Sequence, residues 1–249
     1  MIKKELINSI FYPRKSFSAP NENDLLIQVE ASVNIGVRLF LDNKSNANVL
    51  YFHGNAELAQ EYNSTASLYN NYNINLIVAD YRGYGLSDGS PDRDNLHSDA
   101  VKIFDYIAAY LKDNNYNGKI IIMGRSLGSA SACEIISKRE ESIDKCIIES
   151  GFATEYSLLR LMNVDPDAID YSLSDGFQNL SKLEQYKKPI YFIHADMDDI
   201  IPLSEAKLML KESGSKDKEL FIAEGTNHNN IIIILSSLYF KKIQDFIYK

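Results

Sequence analysis

The sequence has little cysteine, no surplus of positive charge and no long apolar run. Its 249 residues contain two cysteines, Cys133 and Cys146, too few for a disulfide framework. Each lies in an apolar setting that suits a buried packing thiol, and such usage fits a reducing compartment. Lysine and arginine number 26 against 34 acidic residues, a formal net charge of -8, which argues against a nucleic-acid footprint and against attraction to an anionic membrane surface. The apolar run Ile231–Leu235 is far too short to span a bilayer. The N-terminus has basic residues but neither an apolar core nor a small-residue cleavage site, so it makes a poor signal peptide. A cytoplasmic protein without stable membrane insertion is expected. Internal repeats, Gly/Ser linkers and low-complexity tracts are also missing, which leaves residues 1–249 as a single domain.

What is present is α/β alternation. Strand-like segments recur at 25–30, 37–41, 49–52, 75–80, 119–123, 145–149, 189–194 and 219–223, with helix-length stretches between most of the later ones. In the stretch 94–111, Leu96, Ala100, Val101, Phe104, Ile107, Ala108 and Leu111 fall at three- and four-residue intervals, as a helix covering one face of a sheet requires. Residues 204–212 and 229–248 read as further helices. The first two strands are joined by too few residues, around Ser32 to Gly36, for a helical crossover, so the sheet starts antiparallel and continues parallel. The expected fold is a mostly parallel eight-stranded sheet flanked by helices. The asparagines around residues 70–75 read as loop and compositional bias. Residues 151–188, between strands six and seven, are too many for a simple loop. They read as a small helical lid, with Leu158, Leu159, Leu161 and Met162 facing cleft or core.

The chemistry centres on Gly124-Arg125-Ser126-Leu127-Gly128, which follows a β-branched strand and opens a small-residue helical pattern. That setting is a nucleophile elbow, a sharp strand-to-helix turn that projects the serine hydroxyl above the sheet. A serine hydroxyl needs a base, a group to orient the base, and donors for the oxyanion that forms. The elbow architecture orders its groups as serine, acid, histidine, so the base belongs late in the chain. Of the four histidines, His228 lies in a polar loop after the last strand. His97 reads as a helix-flank residue, His194 as a satisfied histidine at the core edge, and His53 belongs to the turn after the third strand. The acid belongs after the seventh strand, where Asp196, Asp198 and Asp199 stand before Pro202. The turn preceding a proline that suits a helix start favours Asp198 or Asp199, and spacing does not choose between them. The amide of Leu127 and that of Asn55, in the turn His53-Gly54-Asn55-Ala56, are the natural oxyanion donors. The glycine-rich loop from Asp80 to Pro91 lacks the Lys-Ser/Thr ending of a phosphate loop and reads as a structural turn lining the site.

These motifs, from about Leu25 to the C-terminus, resemble the α/β-hydrolases. His53-Gly54-Asn55-Ala56, Asp80-Tyr81-Arg82-Gly83-Tyr84-Gly85, Gly124-Arg125-Ser126-Leu127-Gly128-Ser129 and Glu224-Gly225-Thr226-Asn227-His228-Asn229 are similar to those of a branch of α/β-hydrolase domain-containing serine hydrolases that includes protein depalmitoylases. In that branch the segment after strand seven reads His-Gly-x-x-Asp-x-Val-Ile-Pro. Laid over His194 to Pro202, it implies Asp198 as the acid, with Ala195 standing where the branch has glycine. The eukaryotic depalmitoylases carry an N-terminal cysteine cluster, and no cysteine precedes Cys133 here. The resemblance therefore implies a serine hydrolase acting on small-molecule carboxylic esters or thioesters through an acyl-enzyme, with Ser126, Asp198 and His228 catalytic and no metal or organic cofactor. A serine peptidase or amidase, an acyltransferase and, least expected, a non-catalytic binding module are the rival readings.

Overall fold

The strands of the computed structural model, which describes residues 2–16 and 18–249, are β1 (Asp24–Glu30), β2 (Val33–Phe40), β3 (Ala47–Phe52), β4 (Ile74–Ala79), β5 (Ile120–Arg125), β6 (Lys145–Glu149), β7 (Ile190–Ala195) and β8 (Lys218–Ala223). They form one sheet in the order β1-β2-β4-β3-β5-β6-β7-β8. β2 runs antiparallel to both β1 and β4, and every later pairing is parallel, as the sequence predicts. Both faces of β3, β4, β6 and β7 are buried, which is why these strands read as continuous apolar runs.

The helices are α1 (Ile2–Asn8), α2 (Asn63–Asn70), α3 (Arg93–Asp113), α4 (Gly128–Arg139), α5 (Tyr156–Leu161), α6 (Asn179–Gln185), α7 (Leu203–Glu212), α8 (Ile231–Leu235) and α9 (Ser237–Tyr248). Buried residues of α3, α4, α6 and α7 build the core on one face of the sheet. Tyr69 of α2 and Tyr239, Phe240, Ile243 and Phe246 of α9 build it on the other. α3 starts where Asp92 accepts the Asn95 amide at 2.8 Å, an N-cap that satisfies one of the free donors of the first turn.

Three details depart from the sequence reading. β2 begins at Val33, and its pairing of Glu30 with Val33 leaves only Ala31 and Ser32 as the turn. Gly36 lies inside the strand, where a Cβ would meet Leu86 at 3.0 Å and Asp80 at 3.3 Å, so the glycine answers a close approach of the 80–91 loop. The helix expected over 229–248 is broken at Ser236 (φ 49°, ψ -123°) into α8 and α9. Asn75 is buried in β4; its side chain accepts the Asp42 amide at 2.8 Å and donates to Asn43 O at 2.8 Å and Asn48 Oδ1 at 2.9 Å, a structural network where the asparagines read as compositional bias.

Residues 151–188 contain α5, two single-turn 3-10 helices and α6. Leu159, Tyr171, Phe177 and Leu183 are buried in the α3/α4 core, and Leu158 packs against it. Leu161, by contrast, is 52% exposed. Buried Glu155 ties the segment together by accepting the Phe177 amide and the Tyr171 hydroxyl.

Candidate active site

The turn between β5 and α4 is built by what its glycines lack. A Cβ on Gly124 would lie 2.3 Å from Gly128 O, and one on Gly128 would lie 2.0 Å from Phe52 O. Only glycine lets strand, turn and helix close this tightly. Between them Ser126 is held at φ 51°, a left-handed conformation that costs a non-glycine residue free energy and collects at functional sites. Its amide donates to Glu149 O at 2.9 Å, and its carbonyl accepts the Ser129 amide at 3.0 Å.

The structure brings Ser126, His228 and Asp198 together. Ser126 Oγ is 3.1 Å from His228 Nε2, and His228 Nδ1 is 2.7 Å from Asp198 Oδ2. The second oxygen, Asp198 Oδ1, accepts the amides of Ile200 at 3.0 Å and Ile201 at 2.8 Å, which locks the carboxyl group. A carboxylate only accepts, so Nδ1 carries the proton toward Asp198 and Nε2 is left to accept from the serine hydroxyl. Burial opposes the Asp198 charge, but the hydrogen bond and charge of His228 and the Ile201 amide outweigh it and hold the carboxyl below its usual range.

The flanking aspartates are exposed. Asp196 Oδ1 accepts the Thr226 amide at 3.2 Å, and Met197 N donates to Thr226 O at 3.0 Å, so the 196–199 turn and the His228 loop are joined directly. Pro202 immediately precedes α7.

The other histidines stand elsewhere. His194 donates from Nε2 to Ile201 O at 2.7 Å, and its buried Nδ1 has no partner among the described residues, so it is only half satisfied. Burial lowers its pKa against the opposing effects of Ile201 and Asp198. His97 is half-buried on α3 beside Phe177, and burial together with Lys182 pushes its imidazole down to about 4. His53 is fully buried, with Nδ1 2.8 Å from Gly54 O and Nε2 3.1 Å from Asp80 Oδ1. Burial opposes its charge, but Asp80 prevails and raises its pKa.

The Asn55 side chain anchors its turn. Oδ1 accepts the Tyr12 amide at 2.9 Å and the Tyr84 hydroxyl at 2.6 Å, and Nδ2 donates to Ile10 O at 2.7 Å. Among the described residues the backbone amides of Asn55 and Leu127 donate to no acceptor. The glycine-rich loop lies against this turn, with the Tyr81 hydroxyl donating to His53 O. A Cβ on Gly85 (φ 49°) would sit 2.1 Å from Asp80 Oδ2.

Sequence reasoning passed over Arg125, Glu57 and Glu149. The available signal was a charged residue ending an otherwise apolar strand, directly before the serine. Arg125 is 9% exposed, paired with Glu57 and, at 3.4 Å, with Glu149. Burial disfavours its charge, but the two carboxylates more than compensate and raise its pKa. Glu57 is lowered, Arg125 and His53 overcoming the effect of burial, whereas burial keeps Glu149 raised despite Arg125. These three side chains and His228 line a cavity of about 310 Å³ rimmed by Ile231, Ile232 and Ile233. Among the described residues no cluster of three or more His, Cys, Asp or Glu could hold a metal ion, and no helix is long and apolar enough to cross a membrane.

A sequence model of the family described as "Serine aminopeptidase, S33" matches residues 43–164, just under half of the chain and including the elbow. Protein bem46 of Schizosaccharomyces pombe is 26% identical over 207 residues, covering 82% of this chain and 68% of that protein. Alpha/beta hydrolase domain-containing protein 17B of Homo sapiens is 28% identical over 206 residues, covering 80% of this chain and 65% of that protein. The chain thus spans about two thirds of the length of these relatives. Among solved structures, the esterase Pf2001 of Pyrococcus furiosus superposes with a TM-score of 0.76 at 18% identity, covering 95% of this chain and 98% of that one. At that identity the likeness is one of fold.

Proposed function

From the α/β-hydrolase fold and its sequence resemblance to α/β-hydrolase domain-containing proteins, we propose that this chain is a serine hydrolase of small-molecule carboxylic esters or thioesters. The observation that carries the reading is the unbroken chain from Ser126 Oγ through His228 to Asp198, at 3.1 and 2.7 Å, within the range a proton transfer needs. Ser126 attacks the acyl carbonyl while His228 Nε2 takes its proton, and Asp198 holds the imidazole and stabilises the imidazolium. The Asn55 and Leu127 amides bind the oxyanion. His228 then protonates the departing alcohol or thiol, leaving an acyl-Ser126 ester. Water, deprotonated by His228, attacks that ester and releases the acid. None of these steps calls for a metal or an organic cofactor.

Residues 1–249 act as one domain in this reading, with 151–188 as the lid that shapes acyl selectivity. Support for a cytoplasmic setting comes from two buried free thiols. The net charge of -8 weighs against nucleic-acid and anionic-membrane partners.

The test is a panel of p-nitrophenyl esters, acyl thioesters and anilides of graded chain length, with wild type and Ser126→Ala. Expected are turnover of esters or thioesters by wild type, loss of turnover in Ser126→Ala, and fluorophosphonate labelling confined to Ser126. Labelling that persists in Ser126→Ala would overturn the assignment. Faster cleavage of anilides would favour a peptidase, the activity in the matching family's description, and acyl transfer to added alcohols over water would favour an acyltransferase.

A further inference from the structure

We propose that Arg125 is a positioning residue that sets the separation of Ser126 Oγ and His228 Nε2, because one buried guanidinium ties the base loop, the oxyanion turn and the nucleophile elbow together. The inference deepens the serine-hydrolase reading and rests on it. Three chain segments distant in sequence meet on this side chain. Arg125 Nη2 donates to the carbonyl oxygen of His228 at 2.6 Å and to Asn229 Oδ1 at 3.2 Å. Nη1 pairs with Glu57 Oε1, while Glu57 Oε2 accepts the amide of Gly54 at 3.1 Å, one residue before the proposed oxyanion donor. Nε faces Glu149 Oε1 at 3.4 Å, and the Glu149 carbonyl accepts the Ser126 amide.

The chemistry requires arginine. A planar guanidinium presents donors in a fixed fork and can satisfy several acceptors in different directions, whereas an ammonium is a point charge on a flexible stem. The contact to His228 is made at its backbone carbonyl, so Arg125 acts on where the imidazole sits and takes no part in proton transfer. The base loop has local ties of its own, in Met197 N to Thr226 O at 3.0 Å and Asn227 N to Asn230 Oδ1 at 2.7 Å. Losing Arg125 therefore leaves the loop formed but frees it from β5. A displacement of about 1 Å between reacting groups costs about 100-fold in rate. Glycine at position 54 keeps the fork open, since a Cβ there would lie 2.4 Å from Arg125 Nη1.

The cavity lined by Arg125 allows a test that a purely structural role would fail. In Arg125→Ala, kcat on the best p-nitrophenyl ester is expected to fall about 100-fold with KM within about threefold of wild type. Guanidinium chloride at tens of millimolar, entering the vacated end of the cavity, is expected to restore kcat about tenfold, and the same concentration of sodium chloride is not. Arg125→Lys, which keeps the charge but loses the fork, is expected to lose kcat about tenfold and serves as the readout if the alanine variant does not fold. A kcat within about threefold of wild type in the folded variants, or a loss in Arg125→Ala that guanidinium does not restore, overturns the proposal. Ser126→Ala separates the two readings. If it retains turnover and labelling, the hydrolase reading itself fails; if it loses both, the Arg125 results judge the positioning role alone.

Discussion

At Gly128 one hydrogen atom decides whether the elbow can close, since a methyl group there would sit 2.0 Å from Phe52 O. Neither backbone has a flexible end to yield. Gly128→Ala is expected to destabilise the protein by about 1–3 kcal/mol in urea unfolding and to abolish fluorophosphonate labelling even where the chain stays folded. Asp198 makes a sharper point about tautomers. Because Oδ1 accepts the Ile200 and Ile201 amides, Asp198→Asn must keep its oxygen on that side and turn its NH2 toward His228 Nδ1. Nδ1 then becomes an acceptor, the ring proton moves to Nε2, and the base can no longer accept from Ser126. A fall in kcat of about 10⁴-fold with little change in melting temperature is expected. Wild-type turnover in this variant would show that the Asp198–His228 contact is not used in catalysis.

Among the elements, the 151–188 segment depends on a carboxylate kept from water. Burial raises the Glu155 pKa, and the Phe177 amide and Tyr171 hydroxyl only partly oppose it. A carboxyl group whose folded pKa exceeds its unfolded value contributes stability that is fully present below the unfolded pKa and is lost as pH rises through the folded one. Glu155→Gln keeps the shape and an acceptor for the Phe177 amide without the charge. Its melting temperature is therefore expected to exceed that of wild type at pH about 8, with the gap narrowing toward pH about 5. A gap constant across that range would show that the charge of Glu155 does not govern the segment. The break between α8 and α9 is a second element-level feature. Ser236 adopts φ 49° and ψ -123°, a region that favours glycine, so Ser236→Gly is expected to stabilise the chain by about 1 kcal/mol in urea unfolding.

For the whole molecule, a net charge of -8 favours the approach of cationic substrates over anionic ones. Hence kcat/KM for a positively charged thioester such as acetylthiocholine is expected to fall as salt is raised from about 0.01 to about 0.3 M, and that for an anionic ester to rise. Parallel salt dependences for both would show that the global charge does not steer substrate. At this scale the roles of sequence and tertiary structure also separate. The strands, the antiparallel start, the α3 helix and the elbow were legible in the sequence because each follows from local periodicity or from residues a few positions apart, such as Gly124, Ser126 and Gly128. That Ser126, Asp198 and His228 would meet was legible too, since chain order and sheet edge limit which loops can come together. The choice between Asp198 and Asp199 was not settled by spacing, because a turn aims neighbouring side chains differently only once its backbone bonds are made. Gly36 read as a turn residue because the approach of Leu86 comes from another part of the chain, and the hydrogen-bonding role of Asn75, at the start of the expected strand, was hidden because its partners Asp42, Asn43 and Asn48 lie some thirty residues away. Arg125 gave only the hint of a charge ending an apolar strand. Its bonds to the 54–57 turn and the 228–229 loop exist only when the sheet has brought three distant loops to one edge, so tertiary structure alone decided what that cation holds.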